Sequence, residues 1–216
     1  MNRPSLEEAL EELPLVAILR GVQPSEAAAV ATTLVDVGFR VVEVPLNSPA
    51  PLDSLRAMVE AVGSRAVVGA GTVLSAEDAR EVARAGGSIV VAPNTNPVVG
   101  QACAEADVGW VPGVLTPTEA FAALEAGAQA LKFFPAAAAS PAALSALRTV
   151  LPTDARVLAV GGVAAADLDT WWAAGARGFG IGGALYRPGR NLDDLRQRAL
   201  KLVDAARHLQ EPGRAG

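Results

Sequence analysis

The 216-residue chain is expected to fold as α/β, a single-domain (β/α)8 barrel of the TIM class with an extra N-terminal helix. Three observations carry this expectation. Eight short apolar runs rich in β-branched residues alternate with longer Ala- and Leu-rich segments of helical periodicity, the pattern of βα units around a parallel sheet. The runs begin roughly every two dozen residues, which suits compact repeats. None of them is followed by the G-x-G-x-x-G fingerprint of an open dinucleotide-binding sheet with a partner acid further on, so closure into a barrel is favoured.

Taken in order, a helix over about 6–13 precedes the first strand, and strands are expected at 15–19, 41–44, 66–69, 88–92, 109–111, 130–133, 156–160 and 178–181. The intervening helices begin with a capping residue or proline and nearby acids, as at Pro24-Ser25-Glu26, Ser75-Ala76-Glu77-Asp78, Thr116-Pro117-Thr118-Glu119 and Ser140-Pro141. Gly38, Gly63, Gly86, Gly127 and Gly175 mark their far ends. A long charged helix over about 192–208 closes the chain, and a disordered tail is expected over 209–216. One domain is expected over 1–216, with its core at about 14–190.

Composition narrows the function. Hydrophobic residues make up 51% and charged residues 19%, which suits a large buried core. A net charge of -5 without a clustered basic face argues against nucleic acid as a partner. Cys103 is the only cysteine and His208 the only histidine, which leaves no Cys/His metal constellation and no internal disulfide; a reducing cytoplasm suits this. The start of the chain lacks the apolar core of a signal peptide, and no apolar run has the roughly 18 residues of a membrane span. A soluble protein is expected. Sixteen arginines stand against two lysines, Lys132 and Lys201, so amine chemistry has few places to occur.

Active sites of such barrels lie at the C-terminal ends of the strands. Those ends read Arg20-Gly21, Glu43 with Pro45-Leu46-Asn47-Ser48, Gly69-Ala70-Gly71-Thr72, Pro93-Asn94, Pro112-Gly113, Lys132-Phe133-Phe134-Pro135, Gly161-Gly162 and Gly182-Gly183. Lys132 lies in an apolar strand, where desolvation and a nearby arginine would lower its pKa toward the range of a Schiff-base amine; alternatively it points outward or pairs with Glu43 structurally. Glu43 points into the barrel if its flanking valines pack outward, and a carboxyl there can shuttle protons; the alternative is a salt-bridged core acid. Gly161-Gly162 and Gly182-Gly183 follow the seventh and eighth strands, the usual phosphate site of these barrels, unless they only turn corners. Arg20 and Thr72 are candidates for a substrate carboxylate, or for satisfying loop carbonyls. Trp110, Trp171 and Trp172 read as packing, Cys103 as a buried helix residue and His208 as solvated.

A family resemblance that runs from about Pro14 to Pro188 is carried by six motifs: Ala17-Ile18-Leu19-Arg20-Gly21, Val42-Glu43-Val44-Pro45-Leu46-Asn47-Ser48-Pro49, Val68-Gly69-Ala70-Gly71-Thr72-Val73-Leu74, Ala92-Pro93-Asn94, Ala130-Leu131-Lys132-Phe133-Phe134-Pro135 and Ala159-Val160-Gly161-Gly162-Val163. In these the chain resembles the 2-keto-3-deoxy-6-phosphogluconate and -galactonate aldolases, metal-independent class I enzymes on a trimeric barrel. The resemblance implies Lys132 as the Schiff-base nucleophile, Glu43 as general acid/base, and Arg20 and Thr72 near the keto-acid end. It further implies Pro93 and Phe134 shaping the pocket, the four glycines holding phosphate, no cofactor, and pyruvate with D-glyceraldehyde 3-phosphate as products. Asn47 and Val160 resemble the galactonate branch, whose place is in carbohydrate breakdown, where the gluconate branch has arginine and threonine.

Two departures stand out: Ala184 where the gluconate branch has serine, and alanines at 136–139 in place of polar residues. Three other readings stay open. One is an aldolase for the gluconate epimer or a 4-hydroxy-2-oxoglutarate-like acid, the second a phosphate-binding isomerase or synthase that forms no imine, and the third a catalytically inactive binding barrel.

Overall fold

A computed structural model describes residues 3–211. Its sheet is wholly parallel and comprises β1 (Leu15–Ile18), β2 (Val41–Pro45), β3 (Val67–Gly71), β4 (Ile89–Val91), β5 (Gly109–Val111), β6 (Gly113–Val114), β7 (Leu131–Phe133), β8 (Val157–Val160) and β9 (Phe179–Ile181). The order β5-β4-β3-β2-β1-β9-β8-β7-β6 begins and ends on neighbours in sequence. Only Pro112 separates β5 from β6, and proline has no N–H with which to continue a ladder. The two are therefore one stave of an eight-stave barrel, bonded to β4 on one side through Ala92 N–H to the Val111 carbonyl at 3.0 Å. On the other side the Lys132 N–H reaches the Pro112 carbonyl at 2.8 Å. The fifth strand thus extends beyond the expected 109–111.

Among the described residues nine α-helices accompany the strands: α1 (Leu6–Glu12), α2 (Pro24–Val37), α3 (Pro51–Val62), α4 (Ala76–Arg84), α5 (Pro97–Glu105), α6 (Pro117–Glu125), α7 (Pro141–Arg148), α8 (Leu168–Ala173) and α9 (Leu192–Leu209). Their starts follow local chemistry. Ser5 with Glu8 and Thr116 with Glu119 form capping boxes, while Ser75, Asn96, Ser140 and Asn191 cap through one side-chain oxygen. Gly38, Gly63, Gly86, Gly127 and Gly175 all take positive φ, the conformation that ends a helix cheaply only in glycine.

Strand alternation divides the apolar side chains into two layers. Val42, Val44, Val68, Val90, Leu131, Phe133 and Phe179 face outward to the helices, whereas Val16, Ile18, Val41, Val67, Ile89, Val111, Leu158 and Val160 fill the barrel. Leu6, Ala9 and Leu10 of α1 join the inner layer, so the extra helix stoppers the N-terminal end. Cys103 is buried, and burial pushes its thiol up to about 11; Trp110 and Trp171 are buried, while His208 is exposed.

Residues 209–211 of the expected tail are held against the barrel. Leu209 ends α9 with its side chain buried, the Gln210 amide donates to the Glu11 carbonyl at 2.7 Å, and Glu211 lies 3.1 Å from His208. The apolar face of α9 continues through Leu209 and so holds the chain there; residues 212–216 of that expectation lie outside the described ones.

Candidate active site

Lys132 is the middle residue of β7, between Leu131 and Phe133, which both pack outward. Alternation therefore turns Lys132 into the barrel, where it is 6% exposed. Glu43 is turned inward by the same rule between Val42 and Val44 and is 2% exposed. Parallel register places Glu43 beside Ile18 on β1 and Gly69 on β3, while Lys132 stands beside Gly113 and Leu158.

The electrostatics follow from this burial. Desolvation raises the Glu43 pKa to about 7, against the opposing pull of Lys132, Arg20 and the Gly71 amide. Desolvation likewise lowers the Lys132 pKa; Glu43 opposes that shift and Arg20 adds to it. No ion pair within 4.0 Å joins the two among the described residues, and Glu43 Oε2 has no hydrogen-bond partner. The Lys132 ammonium position lies 4.6 Å from the Phe134 ring centre, which offers a π face but no acceptor. A buried carboxyl with an unused oxygen costs stability, so the sequence maintains this pair against a folding penalty. Gly71 makes room for it: a Cβ there would fall 2.2 Å from Glu43 Oε2 and 2.5 Å from Oε1.

Lys132 and Glu43 open on a cavity of about 410 Å3 at the C-terminal ends of the strands. Arg20, Phe134, Val160, Gly161, Gly162, Gly182 and Gly183 line it, so nine of the twelve expected site residues meet there. Gly161 and Gly162 have φ of 101° and 79°. A Cβ on Gly161 would press on the Phe134 ring at 3.3 Å and one on Gly162 would lie 2.7 Å from the Ala137 Cβ, so side chains are excluded at both. Gly182 and Gly183 do not take positive φ.

Asn47, Thr72 and Pro93 are not among the lining residues. Asn47 reaches the site indirectly, its Oδ1 accepting from Arg20 Nη1 at 2.7 Å. Ser48 Oγ accepts the Gly21 N–H at 2.9 Å, stitching together the loops after β1 and β2. Thr72 holds φ of 57°, unusual for a β-branched residue, and the Pro93 carbonyl packs on Gly113. Conversely, Ile18, Val163, Ala164, Gly180, Ala184 and Arg187 line the cavity without having been singled out as site residues. Of these Arg187 carried a signal, a cation four residues beyond the second glycine pair. Among the described residues no group of three His, Cys, Asp or Glu is placed to hold a metal ion, and no helix is long and apolar enough to cross a membrane.

Fold and site together define a parallel α/β barrel that buries an amine and a carboxyl against one cavity. Comparison with known proteins specifies it further. A model of the KDPG and KHG aldolase family matches residues 6–197, and the chain belongs to that family, whose members are lyases acting on carbon–carbon bonds. It is 46% identical over 196 residues to the 2-dehydro-3-deoxy-6-phosphogalactonate aldolase of Escherichia coli (strain K12), covering 91% of this chain and 96% of the relative. A probable aldolase of the same name from Rhizobium meliloti (strain 1021) is 44% identical over 194 residues, 90% and 92% of the two chains. A solved structure described as native KDPGal superposes with a TM-score of 0.90 at 44% identity, covering 98% of this chain and all of the other.

Proposed function

We propose that the chain is a class I aldolase that cleaves 2-dehydro-3-deoxy-6-phosphogalactonate to pyruvate and D-glyceraldehyde 3-phosphate. The observation that carries the mechanism is the inward pair Lys132 and Glu43, an amine of lowered basicity in one cavity with a carboxyl whose pKa is about 7. The neutral Lys132 amine adds to the substrate C2 carbonyl, and protonated Glu43 gives the carbinolamine oxygen the proton with which it leaves as water. The resulting carboxylate takes the proton of the C4 hydroxyl. The C3–C4 bond then breaks, its electron pair passing into the enamine while C4 departs as the aldehyde. Protonation of C3 and hydrolysis of the imine release pyruvate and restore the amine.

Arg20, oriented by Asn47, binds the carboxylate of the keto acid. Phe134 flanks the imine, and the amides around Gly161, Gly162, Gly182 and Gly183 receive the phosphate. Thr72 stands near the keto-acid end and Pro93 shapes the pocket, and neither takes a step in the reaction. No cofactor enters it.

The galactonate preference is supported by the names of the two curated relatives and by Val160, whose side chain lines the cavity without a hydroxyl. A site that lacks a donor at that point cannot reward the substrate epimer that needs one. Steady-state assays with both epimers test this: kcat/KM is higher for the galactonate form, and a value roughly tenfold higher for the gluconate form defeats the assignment. A homotrimer is part of the reading. Leu74, Val98, Leu115 and Phe121 are exposed between the end of β3 and α6, and exposed apolar side chains suit association. Sedimentation showing a monomer would remove it. A cytoplasmic setting accords with a lone buried cysteine.

A further inference from the structure

The loops after β8 and β9 contribute Gly161, Gly162, Val163, Ala164, Gly183 and Ala184 to the cavity, and none of these has a polar side chain. Arg187 is the exception on that rim. The Leu185 and Tyr186 N–H groups donate to the Gly182 carbonyl at 2.8 and 2.9 Å, and this single turn brings residue 187 back over the glycines. Its Nε donates to the Gly183 carbonyl at 3.2 Å. A Cβ on Gly183 would lie 3.7 Å from Arg187 Nε and 3.9 Å from Nη2, so the guanidinium lies across that glycine.

Arg187 is exposed on the rim of the cavity, with its charge uncommitted and its loop held in place. Among the described residues it makes no ion pair, whereas Arg190 three positions on is paired with Asp194. Its terminal nitrogens accordingly have no hydrogen-bond partner there. The loop carrying it is also anchored: the Tyr186 hydroxyl donates to Glu26 Oε1 at 2.6 Å, and Pro188 packs so closely on Gly21 that a Cβ would meet it at 2.8 Å. The remaining charged residues of the cavity, Arg20, Glu43 and Lys132, act on one another.

We propose that Arg187 is a specificity-determining residue that binds the terminal phosphate of the substrate through its two Nη groups and makes the enzyme select phosphorylated over unphosphorylated keto-deoxy acids. The inference rests on the imine reading of Lys132. A planar fork suits phosphate oxygens, and Arg187 supplies the charge on a rim where Ala184 offers no polar side chain.

The test compares kcat/KM for the phosphorylated substrate with that for its unphosphorylated analogue. Arg187→Ala lowers this ratio about 10- to 100-fold, the effect of losing a charged hydrogen-bonding partner, and Arg187→Lys, which keeps the charge but not the fork, falls between. Inorganic phosphate inhibits the alanine variant more weakly than the parent. If Arg187→Ala fails to fold, Arg187→Gln reads the same ratio. Borohydride reduction with pyruvate separates the two claims. A labelled Lys132 in the parent with an unchanged ratio in the variants overturns the role of Arg187 alone; an unlabelled parent overturns the imine reading beneath it.

Discussion

Replacing Gly71 with alanine tests whether the position of the Glu43 carboxyl, rather than its mere presence, matters. A Cβ on residue 71 would lie 2.2 Å from Oε2 and 2.5 Å from both Oε1 and Cδ of Glu43, well inside van der Waals separation. The backbone at 71 does not have positive φ, so the strand itself tolerates alanine. Relief comes from the far end of the glutamate side chain, which must swing away by roughly 1 Å, a misplacement that can cost about 100-fold in rate. Stability falls as well, by about 1–3 kcal/mol for overpacking a filled interior. The assay is a double-mutant cycle on kcat/KM with thermal melts alongside. Gly71→Ala alone loses about 100-fold, whereas in a Glu43→Ala background, where the clash has vanished, the same substitution costs almost nothing further. A Gly71→Ala enzyme within roughly threefold of the parent, or an equal loss in both backgrounds, refutes the argument.

Glu43→Gln changes how stability depends on pH. The carboxyl has a pKa of about 7 when folded, against 4.5 for an ordinary glutamate, so the folded chain holds the proton more tightly and stability falls as pH rises from about 4.5 to 7. That shift corresponds to about 3 kcal/mol, and urea melts at pH 5 and pH 8 should show the glutamine variant gaining on the parent at the higher pH; a constant difference contradicts the raised pKa. Gly100→Ala gains about 1 kcal/mol of helix propensity. Yet its Cβ would meet the buried Trp110 ring at 2.5 Å, so calorimetry should show net destabilisation of about 1–3 kcal/mol. Val160→Thr places a hydroxyl on the cavity wall and should move the kcat/KM ratio of the two epimers toward gluconate by about tenfold; an unmoved ratio separates residue 160 from epimer choice.

Much of this architecture is legible in the sequence because it is periodic. Repeated βα units, capping residues and glycine stops locate the staves and helices, and the two-residue period of a strand orients Lys132 and Glu43 inward once Val42, Val44, Leu131 and Phe133 are assigned to the helical side. What escapes is whatever depends on neighbours distant in sequence. Pro112 reads as the end of a strand, although pairing with β7 carries the stave on through Val114. Gly71 gives no hint of its steric duty, which exists only because β2 sets a carboxyl against it. Thr72, Pro93 and Asn47 sit at strand ends as expected, but a position at the mouth does not determine which side chains face the cavity. Arg187 is one of sixteen arginines, and its place four residues beyond the second glycine pair gains meaning only from the turn over Gly182 that folds it back. Leu209 shows the same limit, since burial of its side chain, not local composition, carries α9 past the expected end.

The most direct test of the mechanism is reduction with borohydride in the presence of pyruvate, followed by peptide mapping. One reduced pyruvyl adduct on Lys132, lost in Lys132→Arg together with cleavage activity, is the predicted result. An adduct on Lys201, or a parent enzyme that turns substrate over while no adduct forms, would contradict it.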